Sequence, residues 1–276
     1  MLDHGSSSAG LSVGYIVSLP HSGSTILGYN LSEHPNAIFL GEVGYAIADL
    51  KSSKAKKSSL YCSCSRAVHD CEFWGGVARR LSECRDQESG YKVVVEEFVK
   101  RYGTGKTLID SNKTVEPARL LCSIEKVTVR CIHTVRDFRG AAVSEARRKA
   151  KRHPNRPQWL TATQASFQWM RKNLRNERLF STLTSAGFHT TSYEKICTHT
   201  AVEIEAIWKF LGLPTHSYIG DDSRQNAHLL SGNKLGSSGR SRVPVYDERW
   251  RKTRIWWPSV ILFPVLPLLN RRWVYS

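Results

Sequence analysis

The sequence predicts one α/β domain, with a central parallel sheet flanked by helices in three layers. Three observations carry this. Residues 13–31 read as a buried strand (Val13, Ile16, Val17, Leu19), a turn of small residues, and a helix opening at Ser24 or Thr25. Residues 127–135 (VTVRCIHTV) read as a second buried strand that also runs into a helix, carrying Ala141, Ala142, Val143 and Ser144. Apolar strands alternating with helical patterns belong to parallel sheets covered on both faces. Third, 276 residues, 41% of them hydrophobic, suit a single sizeable core, so residues 1–276 are taken as one domain.

Taken in order, the first segment (Asp3-His4-Gly5-Ser6-Ser7-Ser8) is polar, and residues 1–11 are expected to fray. No apolar leader precedes the first strand, which argues against secretion by that route. Residues 37–40 are strand-like and end in Gly41-Glu42. Thr107-Leu108-Ile109-Asp110-Ser111-Asn112-Lys113 reads as a short strand ending in polar groups. Thr200-Ala201-Val202-Glu203 has the pattern of a capping box, opening a helix over 201–211 that stops at Gly212 and Pro214. His133, inside the second strand, is expected to be a core histidine with a backbone partner. Residues 255–269 are strongly apolar, but too short and too rich in proline for a spanning helix. Packing on the core is the expectation there, with peripheral membrane contact as the alternative.

The turn Pro20-His21-Ser22-Gly23-Ser24-Thr25 holds the first chemistry. A strand feeding small residues at a helix N-terminus makes an anion site, because free N–H groups and the helix dipole both favour negative charge. A nucleoside-triphosphate loop would place Lys after the last glycine; Ser24 stands there instead. The bland alternative is an ordinary helix start capped by Ser or Thr. At the end of the second strand, Arg136 would leave the carboxyl edge of the sheet, where open α/β sheets bind ligands, and Ser144 would sit two turns along the next helix. Here the alternative is a local pair between Arg136 and Asp137.

These motifs resemble the sulfotransferases that use 3′-phosphoadenosine 5′-phosphosulfate (PAPS), over roughly residues 12–250. The opening turn is similar to that family's 5′-phosphosulfate loop, P-[RK]-S-G-[ST]-T, with His21 in place of the usual Arg or Lys. Arg136 and Ser144 have the spacing of its 3′-phosphate segment. Asp110-Ser111-Asn112-Lys113 resembles its D-S-[SN]-K, Tyr193-Glu194 its cofactor-side Tyr, and His34-Pro35 and Gly41-Glu42 agree with its carbohydrate and tyrosylprotein branches. His228, Gly232-Asn233-Lys234 and Asp247-x-x-Trp250 resemble a C-terminal segment of bacterial members that folds over the nucleotide.

The resemblance implies a P-loop-like fold and an in-line sulfuryl transfer to a hydroxyl or amine. It implies Glu42 as base, with Lys113 and His21 stabilising charge on the bridging oxygen. Donor binding falls to His21, Ser22, Gly23, Ser24, Thr25, Arg136, Ser144, Tyr193, Asn233 and Lys234. The bland reading of Glu42 is an exposed acid at a helix start. An inactive homologue, or a basic module for nucleotides or nucleic acid, is the alternative function. A carbohydrate or other hydroxyl compound is the expected acceptor, and nucleic acid is not expected.

The net charge is +16, which favours anionic partners. Its densest run, Arg147 to His153 and on to Arg156, reads as a solvated helix end, a rim attracting an anionic acceptor, or a nucleic-acid contact. The seven cysteines include Cys62-Ser63-Cys64 and Cys71, with His69 between. The spacing is not that of a standard zinc motif, so loop packing is preferred and no metal is expected. An odd cysteine count and no leader together point to the cytoplasm.

Overall fold

The computed structural model describes residues 10–52, 60–220, 226–230 and 244–276. Five parallel strands form one sheet: β1 (Leu11–Ser18), β2 (Ala37–Gly41), β3 (Thr107–Asp110), β4 (Val127–Val135) and β5 (Phe188–Ser192), in the order β2-β3-β1-β4-β5. β1 lies at the centre, with Val13 opposite Leu108 on one side and Val129 on the other. Only Ser12 in β1 is not fully buried, as a strand paired and covered on both faces requires.

Successive side chains point to opposite faces, and this splits the core in two. Val13, Tyr15 and Val17 pack on one face with Val43 and Ile47 of α2 (Val43–Lys51), Trp74 and Val77 of α3 (Trp74–Leu81), Tyr91, Val94 and Phe98 of α4 (Gln87–Tyr102), and Leu121 of α5 (Val115–Ser123). Ile16 points the other way, to Leu27 of α1 (Ser24–Leu31) and Ile204, Ile207 and Trp208 of α9 (Thr200–Phe210). A third apolar cluster joins Val135, Phe138 of α6 (Phe138–Ala150) and Trp169 of α7 (Gln158–Leu183) to the C-terminal helices α10 (Trp257–Leu262) and α11 (Leu266–Val274), through Leu266, Trp273 and Val274. The apolar C-terminal segment therefore covers the core with one side and leaves Trp257, Ile261, Leu262 and Leu268 exposed on the other. No helix among the described residues is long and apolar enough to cross a membrane.

Two local expectations are corrected. The capping box at α9 does not form. The Thr200 hydroxyl donates back to the Ile196 carbonyl of α8 (Tyr193–Thr198), and Glu203 faces His189 at 3.9 Å. With α8 ending only two residues earlier, that carbonyl is the nearer partner. The helix does end as expected: Leu213 N–H donates to the Trp208 carbonyl and Gly212 N–H to that of Lys209, a Schellman-type closure. The buried His133 is held by a side chain, with its Nε2 3.1 Å from Asn173 Oδ1. Burial lowers its pKa to about 4, so it stays neutral.

Candidate active site

The chain leaves β1 for β2 and β3 on one side and then crosses to β4 on the other, so the loops after β1, β3 and β4 meet at the carboxyl edge of the sheet. The loop after β1 turns sharply. His21 and Gly23 both take left-handed backbone conformations (φ 67° and 86°), and Ser22 N–H closes on the Leu19 carbonyl. Gly23 is needed for space as well as for angle: a Cβ there would lie 2.8 Å from the Tyr193 ring. α1 then starts at Ser24 with Gly23 as its N-cap and no side-chain cap. Its first N–H groups have no intrahelical acceptor. The ordinary Ser/Thr-capped start is therefore not what the sequence builds here, although Ser22, Ser24 and Thr25 are all buried around that helix end.

Arg136, at the end of β4, ties this loop to the rest of the site. It donates from Nη1 to the His21 carbonyl (3.0 Å) and from Nη2 to Asp247 Oδ2 (2.9 Å). Its guanidinium lies 4.7 Å from the centre of the Tyr193 ring. The Tyr193 hydroxyl donates to the Val245 carbonyl and accepts from Asp247 N–H, so loop, arginine, ring and the 245–247 segment form one stack. Arg249 and Arg136 hold the Asp247 carboxyl well below its usual range. The local Arg136–Asp137 pair is thus absent. Asp137 caps α6 through Arg139 N–H and takes Arg139, Tyr275 and Asn270 as partners. Burial alone would raise its pKa; those partners outweigh burial and lower it.

Ser144 sits half-buried two turns along α6, on the face it shares with Ala141, Glu145 and Arg148. Beside Ser144, the residues Ala141, Glu145 and Arg148 line an open cavity of about 570 Å³ with Trp169 and Lys172 of α7, Leu19 and His21. The basic run so divides. Arg148 and Lys149 line the cavity and pair with Glu145, whereas Arg147, Lys151, Arg152 and His153 do not line it. Partial burial, and then the charges of Arg136, Arg148 and Lys113, lower the His21 pKa, with Glu145 opposing them. His21 is therefore mostly neutral at neutral pH.

The other half of the site comes from the neighbouring strand ends. Gly41 of β2 lies opposite Asp110 of β3, and Ser111 N–H donates to the Gly41 carbonyl. This brings Glu42 and Lys113 into an ion pair. Glu42 is largely buried, so the exposed helix-start reading does not hold. Lys113 has a left-handed backbone (φ 68°), and the next carbonyl, of Thr114, accepts from the Tyr15 hydroxyl at 2.6 Å. Beneath the pair lies Asp110, fully buried, accepting from Asn112 N–H (2.9 Å), Val43 N–H (3.3 Å) and the Tyr91 hydroxyl (3.1 Å). Burial, with the nearby Glu42 charge adding to it, pushes its pKa up to about 7. Sequence reasoning gave Asp110 no role; its place between a strand end and a lysine was the available signal.

The structure thus brings together His21, Ser22, Gly23, Ser24, Thr25, Arg136 and Tyr193, and separately Glu42 with Lys113, whose charge also reaches His21. Asn233 and Lys234 lie outside the described residues. His228, expected with them, instead sits buried beside Cys62 and Cys71.

The sulfotransferase family pattern matches residues 15–217, and the chain belongs to that family. Among solved structures, it is similar to the sulfotransferase domain from the Synechococcus PCC 7002 olefin synthase (TM-score 0.50, 19% identity, 89% of each chain covered). It is also similar to the sulfotransferase domain from the curacin biosynthetic pathway (TM-score 0.50, 18% identity, 88% of this chain and 86% of that one). At these identities the likeness speaks for the fold, a parallel α/β sheet flanked by helices. None of the curated proteins matches the chain.

Proposed function

We propose that the chain transfers a sulfuryl group from PAPS to a hydroxyl or amine by in-line displacement. The observation that carries this is the bond from Arg136 to the His21 carbonyl, which fuses two anion-binding segments into one site. The loop 22–25 and the start of α1 suit the 5′ end of the donor. A guanidinium has five N–H donors, and among the described residues two Arg136 bonds are directed at His21 and Asp247, so donors remain for a 3′-phosphate, with Ser144 along the adjoining helix. The resemblance adds Asn233 and Lys234 to the residues proposed to bind the donor.

In the reaction, the acceptor oxygen forms a bond to sulfur while the bond from sulfur to the 5′-phosphate oxygen breaks. Glu42 takes the acceptor proton, and adenosine 3′,5′-bisphosphate leaves. Lys113 serves two ends: it orients the Glu42 carboxylate through the ion pair and supplies positive charge toward the bridging oxygen. His21 adds its charge only in its protonated form. As in phosphoryl transfer, positioning and a fixed positive field do most of the work.

Arg148, Lys149 and Lys172 around the cavity favour an acceptor with negative charge, such as an acidic carbohydrate or another anionic hydroxyl compound. The exposed face of α10 and α11, with Arg254, Arg271 and Arg272 nearby in sequence, fits contact with an anionic membrane surface. The test of donor identity is thermal shift with adenosine 3′,5′-bisphosphate, ATP–Mg²⁺ or single-stranded DNA. Stabilisation by the bisphosphate that disappears in Arg136→Ala is expected. Stabilisation by ATP–Mg²⁺ alone would point to a kinase-like enzyme, and by DNA alone to a nucleic-acid binder.

A further inference from the structure

We propose that Cys62, Cys64, Cys71 and His228 form a structural zinc site, away from the donor and acceptor residues and contrary to the sequence expectation of no metal. One ligand atom from each of the four lies within 4.8 Å of all the others. The His228 Nδ1 is 3.4 Å from Cys71 Sγ and 3.7 Å from Cys62 Sγ. Tetrahedral zinc with Zn–S of about 2.3 Å and Zn–N of about 2.05 Å requires S···N separations of about 3.6 Å. The two histidine–sulfur separations thus match a tetrahedral site, the remaining sulfurs lie within 4.8 Å, and three cysteines with one histidine make a standard structural zinc set. A disulfide would use two of these sulfurs and leave the third thiol and the imidazole unexplained; all seven cysteines are free.

Behind the imidazole, Nε2 lies 3.5 Å from Glu72 Oε1, the carboxylate–histidine arrangement that fixes a metal-binding tautomer. The His228 carbonyl accepts from Trp74 Nε1 at 2.6 Å, and its N–H donates to the Phe39 carbonyl at 2.8 Å. His69, which the sequence placed nearest the cysteines, is exposed and takes no part.

Four protein ligands leave no open position, so the ion serves structure. It staples the loop over residues 60–71 to the segment 226–230, which runs along the outer edge of β2 through Phe39 and Ala227. Glu42 follows at the end of the same strand, so the staple braces the strand that carries it.

The test uses the full-length protein expressed with added zinc and dialysed against metal-free buffer. Mass spectrometry of metals is expected to find about one zinc per chain. His228→Ala and Cys64→Ser are expected to lose most of it, and Cys122→Ser, a thiol outside the cluster, to keep it. Should the ligand variants fail to fold, the wild-type protein exchanged with cobalt(II) decides alone. Intense tetrahedral ligand-field bands with thiolate charge transfer support the site. Absence of those bands, zinc far below stoichiometry in the wild type, or undiminished zinc in folded His228→Ala would overturn it.

Discussion

Asp110→Asn isolates the cost of burying an acid under the Glu42–Lys113 pair. In the folded chain Asp110 keeps its proton up to about pH 7, whereas unfolded it ionises near 3.8. Between those values the folded state holds a proton that the unfolded state has lost, so stability falls as pH rises through the window. At about 1.4 kcal/mol per pH unit, the window is worth about 4 kcal/mol, a large share of the roughly 5–15 kcal/mol that holds a domain together. Asparagine keeps two of the bonds and reverses the third: Oδ1 already receives both backbone N–H groups, and Nδ2 would donate to the Tyr91 hydroxyl, which in the wild type donates to Oδ2. The variant should therefore match the wild type in acid, where Asp110 is neutral, and exceed it by up to about 4 kcal/mol above pH 7. Urea unfolding of both proteins across this range measures the difference. Glu194, also raised to about 7, and His133, lowered to about 4, titrate in both proteins and cancel. A stability difference that does not change with pH would refute the argument.

The catalytic assignment predicts that Glu42→Gln keeps bisphosphate binding but loses about 10²–10⁴-fold in turnover, the usual worth of a general base; unchanged turnover in a PAPS assay would remove Glu42 from the mechanism. Because the His21 pKa is lowered, donor affinity should rise as pH falls below about 6.5, and His21→Arg should abolish that dependence and bind more tightly at neutral pH. Calorimetry over a pH series would report both. Ile261→Ser and Leu268→Ser, at positions 77% and 69% exposed, should leave the thermal midpoint nearly unchanged while weakening sedimentation with anionic vesicles; equal sedimentation would assign that face to something other than lipid.

What could be read from the chain alone tracks how local the physics is. β4 spans Val127–Val135 and α1 starts at Ser24, both where the sequence placed them, because an apolar run feeding a small-residue turn is decided within a few residues. The α9 capping box had the same local warrant and failed, since the pattern does not record that α8 ends two residues before it and offers a competing carbonyl. Partners chosen across the sheet were further from reach. Arg136 turns from its neighbour Asp137 to Asp247, 111 residues away, and Asp137 is left to cap its own helix.

The same limit governs the place of Asp110 and the partner of the cysteine cluster. Asp110 looks like an ordinary polar strand end until strand order buries it beneath Glu42; its raised pKa comes from that burial and the Glu42 charge, against the opposing Tyr91 bond, and from no motif. The cysteine cluster lacked a credible fourth ligand because spacing was counted along the chain, where His69 is nearest. The sheet supplies His228 instead, 157 residues after Cys71, by running its segment along the edge of β2. A ligand set completed by strand-edge pairing leaves no regular interval between its residues. Its traces in sequence are only the close thiols and an unassigned histidine, and topology alone says that they meet.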